Sequence, residues 1–278
     1  MLQDLEKRIE RIARGDSDGN DVHRFRTACR RLEAVLTELV YADRTSSPDH
    51  ALYQAIRKAR KKAGDARDID VSHQLVQSVA MPLDSRSHAV CNFLNDYLKS
   101  RRGDAIKELE RTANRRRVKN LPGELRKVFE KNIITRVKIK RVLTRCITHA
   151  QKLASKKLTT DALHRTRLAL KRLRDVARIV EPLLGSAAKS IAVKAGHLSD
   201  RLGKAQDLFV LVSLIDDAGN ALSSPPQELA ALRTRLVKSH VVSQRTSVQS
   251  LSGLKVIAKA VSNIRPVKAH ARKPQKPK

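Results

Sequence analysis

The 278-residue chain has no tryptophan, and with three tyrosines and four phenylalanines its aromatic content is only 3%. Binding of single-stranded nucleic acid by base stacking relies on several aromatic faces, so that mode has little to work with here. Cysteine is scarce too. Cys29, Cys91 and Cys146 are odd in number, scattered and without CxxC spacing, which excludes a disulfide framework and points to reduced, mostly buried thiols in a cytosolic protein. The longest near-continuous apolar run, Leu208 to Ile215, is too short to span a bilayer. Asp4, Glu6 and Glu10 come early and no apolar core follows them, so no secretory signal is expected. No GxxxxGK[ST] loop, HExxH helix or acidic metal cluster occurs, which leaves an enzyme acting on phosphoanhydrides without support.

The largest deficit is in acids. Against 58 Lys and Arg there are 28 Asp and Glu, a formal net charge of +30. Self-repulsion on that scale opposes compaction, so the charge calls for a polyanionic partner. Nucleic acid, an anionic membrane surface and inorganic polyphosphate all qualify on charge alone.

What the chain does have is a segment that occurs twice. Residues 22–32 read VHRFRTACRRL and residues 163–173 read LHRTRLALKRL. The matched pairs are His23/His164, Arg24/Arg165, Arg26/Arg167, Ala28/Ala169, Arg31/Arg172 and Leu32/Leu173, and Arg30/Lys171 keeps its charge. On a helix, His23, Arg26 and Arg30 fall within roughly 60° of one another. Val22, Phe25, Cys29, Leu32, Leu36 and Leu39 gather on another side as a core face. In the second copy, His164, Arg167, Lys171, Arg174 and Arg178 form one cationic face, opposite Leu163, Leu170, Leu173, Ala177 and Val180. A second pair follows each copy: Gly64-Asp65-Ala66-Arg67-Asp68-Ile69-Asp70-Val71 aligns with Gly203-Lys204-Ala205-Gln206-Asp207-Leu208-Phe209-Val210. The offset is 141 residues at the histidines and 139 at the glycines, so the duplicated unit is about half the chain.

Abundant Ala, Leu, Arg and Lys, with few alternating β-branched runs, specify an all-α chain. A short N-terminal helix and turn occupy 1–20, a first helical bundle 21–158, a second 159–264, and a disordered basic tail 265–278. The first motif helix is expected from Asp21, as N-cap, to Tyr41. Gly64 and Gly203 read as helix C-terminal glycines. Single long helices are expected over 85–117 and 122–157.

These residues resemble the CHAD domain, the conserved histidine α-helical domain. The VHxxRxxxRRL helix, the GxARDxDV segment and the LHxxRxxxKRLR helix carry the likeness, which covers roughly 21–264. The resemblance implies two pseudo-symmetric four-helix bundles whose basic side chains line a central groove or pore for inorganic polyphosphate. Some relatives carry an attached triphosphate tunnel domain with an ExExK motif. None is present here, so no phosphohydrolase activity is expected.

Carried onto matching positions, the implied polyphosphate ligands are His23, Arg26, Arg30 and Arg31 in the first copy and His164, Arg167, Lys171, Arg172 and Arg174 in the second. Arginine suits the role because its guanidinium makes bidentate contacts to phosphate oxygens, with lysine adding a compact point charge. Arg24, Arg57, Lys58, Lys61, Lys107, Arg111, Arg165, Arg178, Lys194 and Arg201 are further basic candidates for extending the groove. Asp68 and Asp207 either cap a helix or hold a stripe arginine in its binding rotamer. The histidines either donate to phosphate or bond a neighbouring helix. Single histidines among arginines make a poor cation site, so neither metal nor cofactor is expected. Glu33 and Thr37 stand where Arg174 and Arg178 stand in the second copy, which makes that copy the expected stronger anion surface. The functional expectation is non-catalytic polyphosphate binding in the cytoplasm, in association with polyphosphate granules. A nucleic-acid-binding or architectural protein is the alternative.

Overall fold

The computed structural model describes residues 2–40, 50–79, 85–131, 136–155, 159–222 and 226–264. No strand occurs among them. The helices are α1 (Leu2–Arg14), α2 (Gly19–Val35, continued by a π turn over Leu36–Val40), α3 (His50–Val79), α4 (Ser85–Ala113), α5 (Arg116–Lys119), α6 (Leu121–Lys131), α7 (Arg136–Ala154), α8 (Thr160–Ile179), α9 (Glu181–Leu184), α10 (Ser186–Asn220), α11 (Gln227–Ser250) and α12 (Gly253–Ser262). The basic tail from Arg265 lies outside the described residues.

The two motif helices are α2 and α8, and local chemistry starts each of them. Before α2, the backbone N–H of Asp21 donates to Asp18 Oδ1 at 2.7 Å and the Asp18 N–H donates back to Asp21 Oδ2 at 3.3 Å, a reciprocal capping box. The cap is therefore Asp18, not Asp21 as the sequence suggests. Asp21 sits three residues inside, where the Arg8 guanidinium of α1 also reaches it at 2.9 Å. Thr159 caps α8, its Oγ1 accepting from the Ala162 N–H at 3.1 Å.

The apolar faces read from the sequence are the faces that are buried. Val22, Phe25, Cys29, Leu32, Leu36 and Leu39 are all fully buried, as are Leu170, Leu173 and Ala177 on α8. At roughly 25 cal/mol per Å² of apolar surface, each such Leu or Phe contributes about 2 kcal/mol. The three cysteines are free and buried; burial pushes the Cys29 and Cys146 thiols up to about 12 and raises Cys91 as well. The main core joins α1, α2, the first half of α3, α7, α8, the first half of α10 and α12. A second, smaller core joins the distal halves of α3 and α10 with α4 and α11. Each core draws on both copies of the repeat, because α3 and α10 are long enough to serve both.

That length is the main departure from the sequence reading. Neither Gly64 nor Gly203 ends a helix: α3 and α10 run straight through them, and the described glycines with positive φ are Gly15 and Gly185. A glycine inside a helix costs about 1 kcal/mol relative to alanine, so something other than chain termination selects it. The stretch expected over 122–157 divides into α6 and α7, and the one expected over 85–117 ends at Ala113, with Arg116–Lys119 forming a separate turn.

Where α2 meets α8, one acid is sealed between them. Asp175 of α8 is fully buried, accepting from Arg30 Nε of α2 at 2.7 Å and from its neighbour Arg174 Nε at 3.3 Å. Glu38 plays a similar part nearby, taking Arg145 of α7 at 2.6 Å and Arg172 of α8 at 3.1 Å. Removing one partner of a buried ion pair leaves uncompensated charge, at a cost of about 3–5 kcal/mol. Asp175→Ala should therefore lower unfolding free energy by about 3 kcal/mol or more, measured by urea denaturation, whereas removal of the exposed acid of Asp161–Arg165 should have little effect.

A cationic cluster between the two motif helices

The stripes of α2 and α8 face one another. Arg26 and Arg30 from α2 and Arg167 from α8 come close enough to act on Lys171 of α8, and Arg30 and Arg167 act on Arg26. Lys171 shows the consequence most clearly. Burial first, and then the charges of Arg167, Arg30, Arg26 and Arg174, bring its ammonium down to about 7. Arg26 is lowered by burial as well, with Asp68 opposing the shift. These side chains are half-buried rather than sealed, so the charge is concentrated where a solute can reach it.

The glycines explain how the arginines fit. A methyl group on Gly203 would lie 3.1 Å from an Arg167 guanidinium nitrogen and 3.3 Å from its Nε; one on Gly64 would lie 3.5 Å from Arg26 Nε. In both copies the guanidinium lies against the neighbouring helix at a position without a side chain. One turn further along that helix stands the carboxylate. Arg26 pairs with Asp68 at 3.3 Å and Arg167 with Asp207 at 3.4 Å. Asp68 and Asp207 lie in mid-helix, so capping is not their role; they hold the stripe arginines. Burial raises the Asp207 carboxyl, with Arg167 and Lys171 pulling the other way.

The histidines stand at the ends of the cluster and differ. His164 Nδ1 is 2.8 Å from Gln206 Oε1, so an Nδ1–H donates to that amide oxygen and fixes the ring. At the position matching Gln206 the first copy has Arg67. There, what burial His23 has, followed by Arg67, Arg30, Arg26 and Lys171, holds its imidazole below the usual histidine range. His23 is therefore harder to protonate than a free histidine.

The remaining sequence candidates divide. Arg174 is buried against α10 and bonded to Asp175, and the exposed Arg172 is paired with Glu38. Arg31 turns toward a separate cleft with Arg24 and Arg178, its buried Nε without a hydrogen-bond partner. Arg165 pairs with Asp161 at 2.9 Å and Arg111 with Glu108 at 2.8 Å. Arg57, Lys58, Lys61, Lys107, Lys194 and Arg201 are exposed. Sequence reasoning missed Asp175, Glu33 and Glu38. Glu33 and Asp175 fall beside the basic stripes, so a lone acid next to a cationic face was their signal; Glu33 is bonded there by Arg60 and Tyr53. Among the described residues, no three His, Cys, Asp or Glu side chains come together as a metal site, and no helix is long and apolar enough to cross a membrane.

Because Gly203 exists to seat Arg167, Gly203→Ala separates helix stability from charge placement. The variant should be no less resistant to urea, gaining up to about 1 kcal/mol of helix propensity, yet should bind inorganic tripolyphosphate more weakly. Paired denaturation and titration curves measure both.

Comparison with known proteins agrees with this geometry. No curated protein matches the chain. One solved structure that it resembles is the crystal structure of the CHAD domain from the plant Ricinus communis, with a TM-score of 0.60 and 19% identity over 95% of this chain and 88% of that one; at this identity the likeness establishes the fold. The family model for the CHAD domain matches residues 1–216 and again 141–258, the second match containing the second motif helix. With the model covering well over half its length, the chain belongs to the CHAD domain family.

Proposed function

We propose that this protein binds inorganic polyphosphate without chemistry, using the cluster between α2 and α8 as its centre. The observation that supports this reading above all is the convergence of Arg26, Arg30, Arg167 and Lys171; burial first, and then the neighbouring charges, bring Lys171 down to about 7. A site so organised is destabilised when empty and relieved by an anion. Phosphate oxygens accept from guanidinium groups bidentately, and cations spaced three or four residues apart on two facing helices suit a linear chain of phosphates. Neighbouring carboxylates orient the arginines rather than act on a substrate: Asp68 and Asp207 each contact a guanidinium. A cytoplasmic protein that associates with polyphosphate granules fits the charge and the reduced cysteines.

Two outcomes test the reading. Arg167→Ala combined with Lys171→Ala should weaken polyphosphate binding at least tenfold and lower the slope of log affinity against log salt by about 1.4, taking about 0.7 per lost contact on a single-stranded polyanion. Duplex DNA of matched charge, titrated across the same salt series, should bind more weakly than polyphosphate; equal affinity and equal slope would instead favour the nucleic-acid reading.

The second concerns pH. Lys171 of the free protein is charged below about 7 and neutral above it, while a bound polyanion favours the charged form. Binding above pH 7 must therefore draw in a proton, so affinity should fall as pH rises from 7 and be constant below. Lys171→Arg, which stays charged, should flatten that limb of the profile. Stability moves the other way: a lysine titrating near 10.5 unfolded and about 7 folded binds fewer protons in the fold between those values, so the free protein should become more stable as pH rises from 7 toward 10.

A further inference from the structure

His23 lies where three positive regions meet. On one side is the cluster, whose Arg26, Arg30 and Lys171 all act on its imidazole. On another is a cleft of about 520 Å³ between α2, α3 and α4, which His23 lines with Arg67, His73, Lys99 and Arg102. The single acid there, Asp70, is already bonded to Arg102 at 2.7 Å. On the third is a cleft of about 820 Å³ between α2 and the end of α8, lined by His23 with Arg8, Arg24, Arg31 and Arg178. Its acids are Asp4, engaged by Arg8 at 2.7 Å, and Glu181. Asn20 joins His23 in lining both clefts, so the two form one trough along the N-terminal half of α2.

The second copy does not repeat the residues that line the first cleft. At the positions matching Arg67, Ile69, Asp70 and His73 stand Gln206, Leu208, Phe209 and Val212. Phe209 packs instead on His240 of α11, with ring centroids 5.9 Å apart. Gln206 is occupied by His164. The basic lining therefore continues out of the cluster past His23, and the matching positions beside His164 do not repeat it.

From this asymmetry we infer that a polyphosphate chain leaves the central cluster on one side only, passing His23 into the trough on the first copy, where Arg24, Arg67 and Lys99 bind its continuation. The inference rests on the proposed function and adds an extended subsite to it. Arg24, Arg67 and Lys99 touch only phosphates beyond the centre. A chain of three phosphates occupies the cluster alone, and a long one reaches the trough as well.

The test compares inorganic tripolyphosphate with long-chain polyphosphate on the full protein. In Arg24→Gln/Arg67→Gln/Lys99→Gln, tripolyphosphate affinity should be unchanged. Long-chain affinity should fall about tenfold or more, and its salt slope should flatten by about 2, three contacts at about 0.7 each. The charge-conserving Arg24→Lys/Arg67→Lys/Lys99→Arg variant should restore both, which separates loss of charge from misfolding. Long-chain affinity and slope left intact by the glutamine variant, while Arg167→Ala/Lys171→Ala abolishes binding, would overturn the trough and leave the central site standing. If the double alanine variant also binds as the parent does, the polyphosphate reading falls and the trough with it.

Discussion

Repulsion between α2 and α8 is the constraint around which the centre of this protein is arranged. Two helices that would separate on charge alone are kept in contact by the apolar faces beneath the stripes, by Asp175 between Arg30 and Arg174, and by Glu38 between Arg145 and Arg172. Bringing a lysine from 10.5 to about 7 corresponds to roughly 5 kcal/mol of unfavourable environment for its charged form. Burial of several leucines and a phenylalanine offsets that readily. The fold can hold a concentrated positive field because the core, rather than the surface, sets the distance between the helices.

The two copies share one device and have divided the rest. In each, an arginine lies over a mid-helix glycine and is held by an aspartate one turn on. Beyond that they differ. Arg30 has a buried carboxylate partner in Asp175, but the position matching Asp175 in the first copy is Ala34, so Lys171 has no equivalent acid. Lys171, half-buried and among other cations, is the one brought down to about 7, while Arg30 is bonded to Asp175. Glu33, bonded to Arg60, stands where the second copy has the buried Arg174. Duplication gave two similar surfaces, and divergence left the clefts beside His23 with a basic lining that the second copy does not repeat.

Much of the fold was legible because helix periodicity is a strong local signal. The all-α class, the two motif helices, the buried face from Val22 to Leu39 and the pairing of each glycine with a following aspartate all come from spacing along one chain. The glycines were misread for an equally local reason: Gly near a polar turn usually ends a helix, and nothing in the neighbouring sequence announces that an arginine from a distant helix lies on it. Arg172 and Arg174 likewise meet acids that spacing along the chain does not announce: Glu38 pairs with one and Asp175 with the other.

The sequence by itself therefore determined the helices, their apolar and cationic faces, the duplication and the excess of positive charge, since each follows from residue type and a 3.6-residue period. Only the tertiary structure decided which cations meet, which are neutralised, and why glycine sits inside α3 and α10. The period fixes an angle about a helix's own axis, whereas the identity of the surface lying opposite depends on how the helices pack.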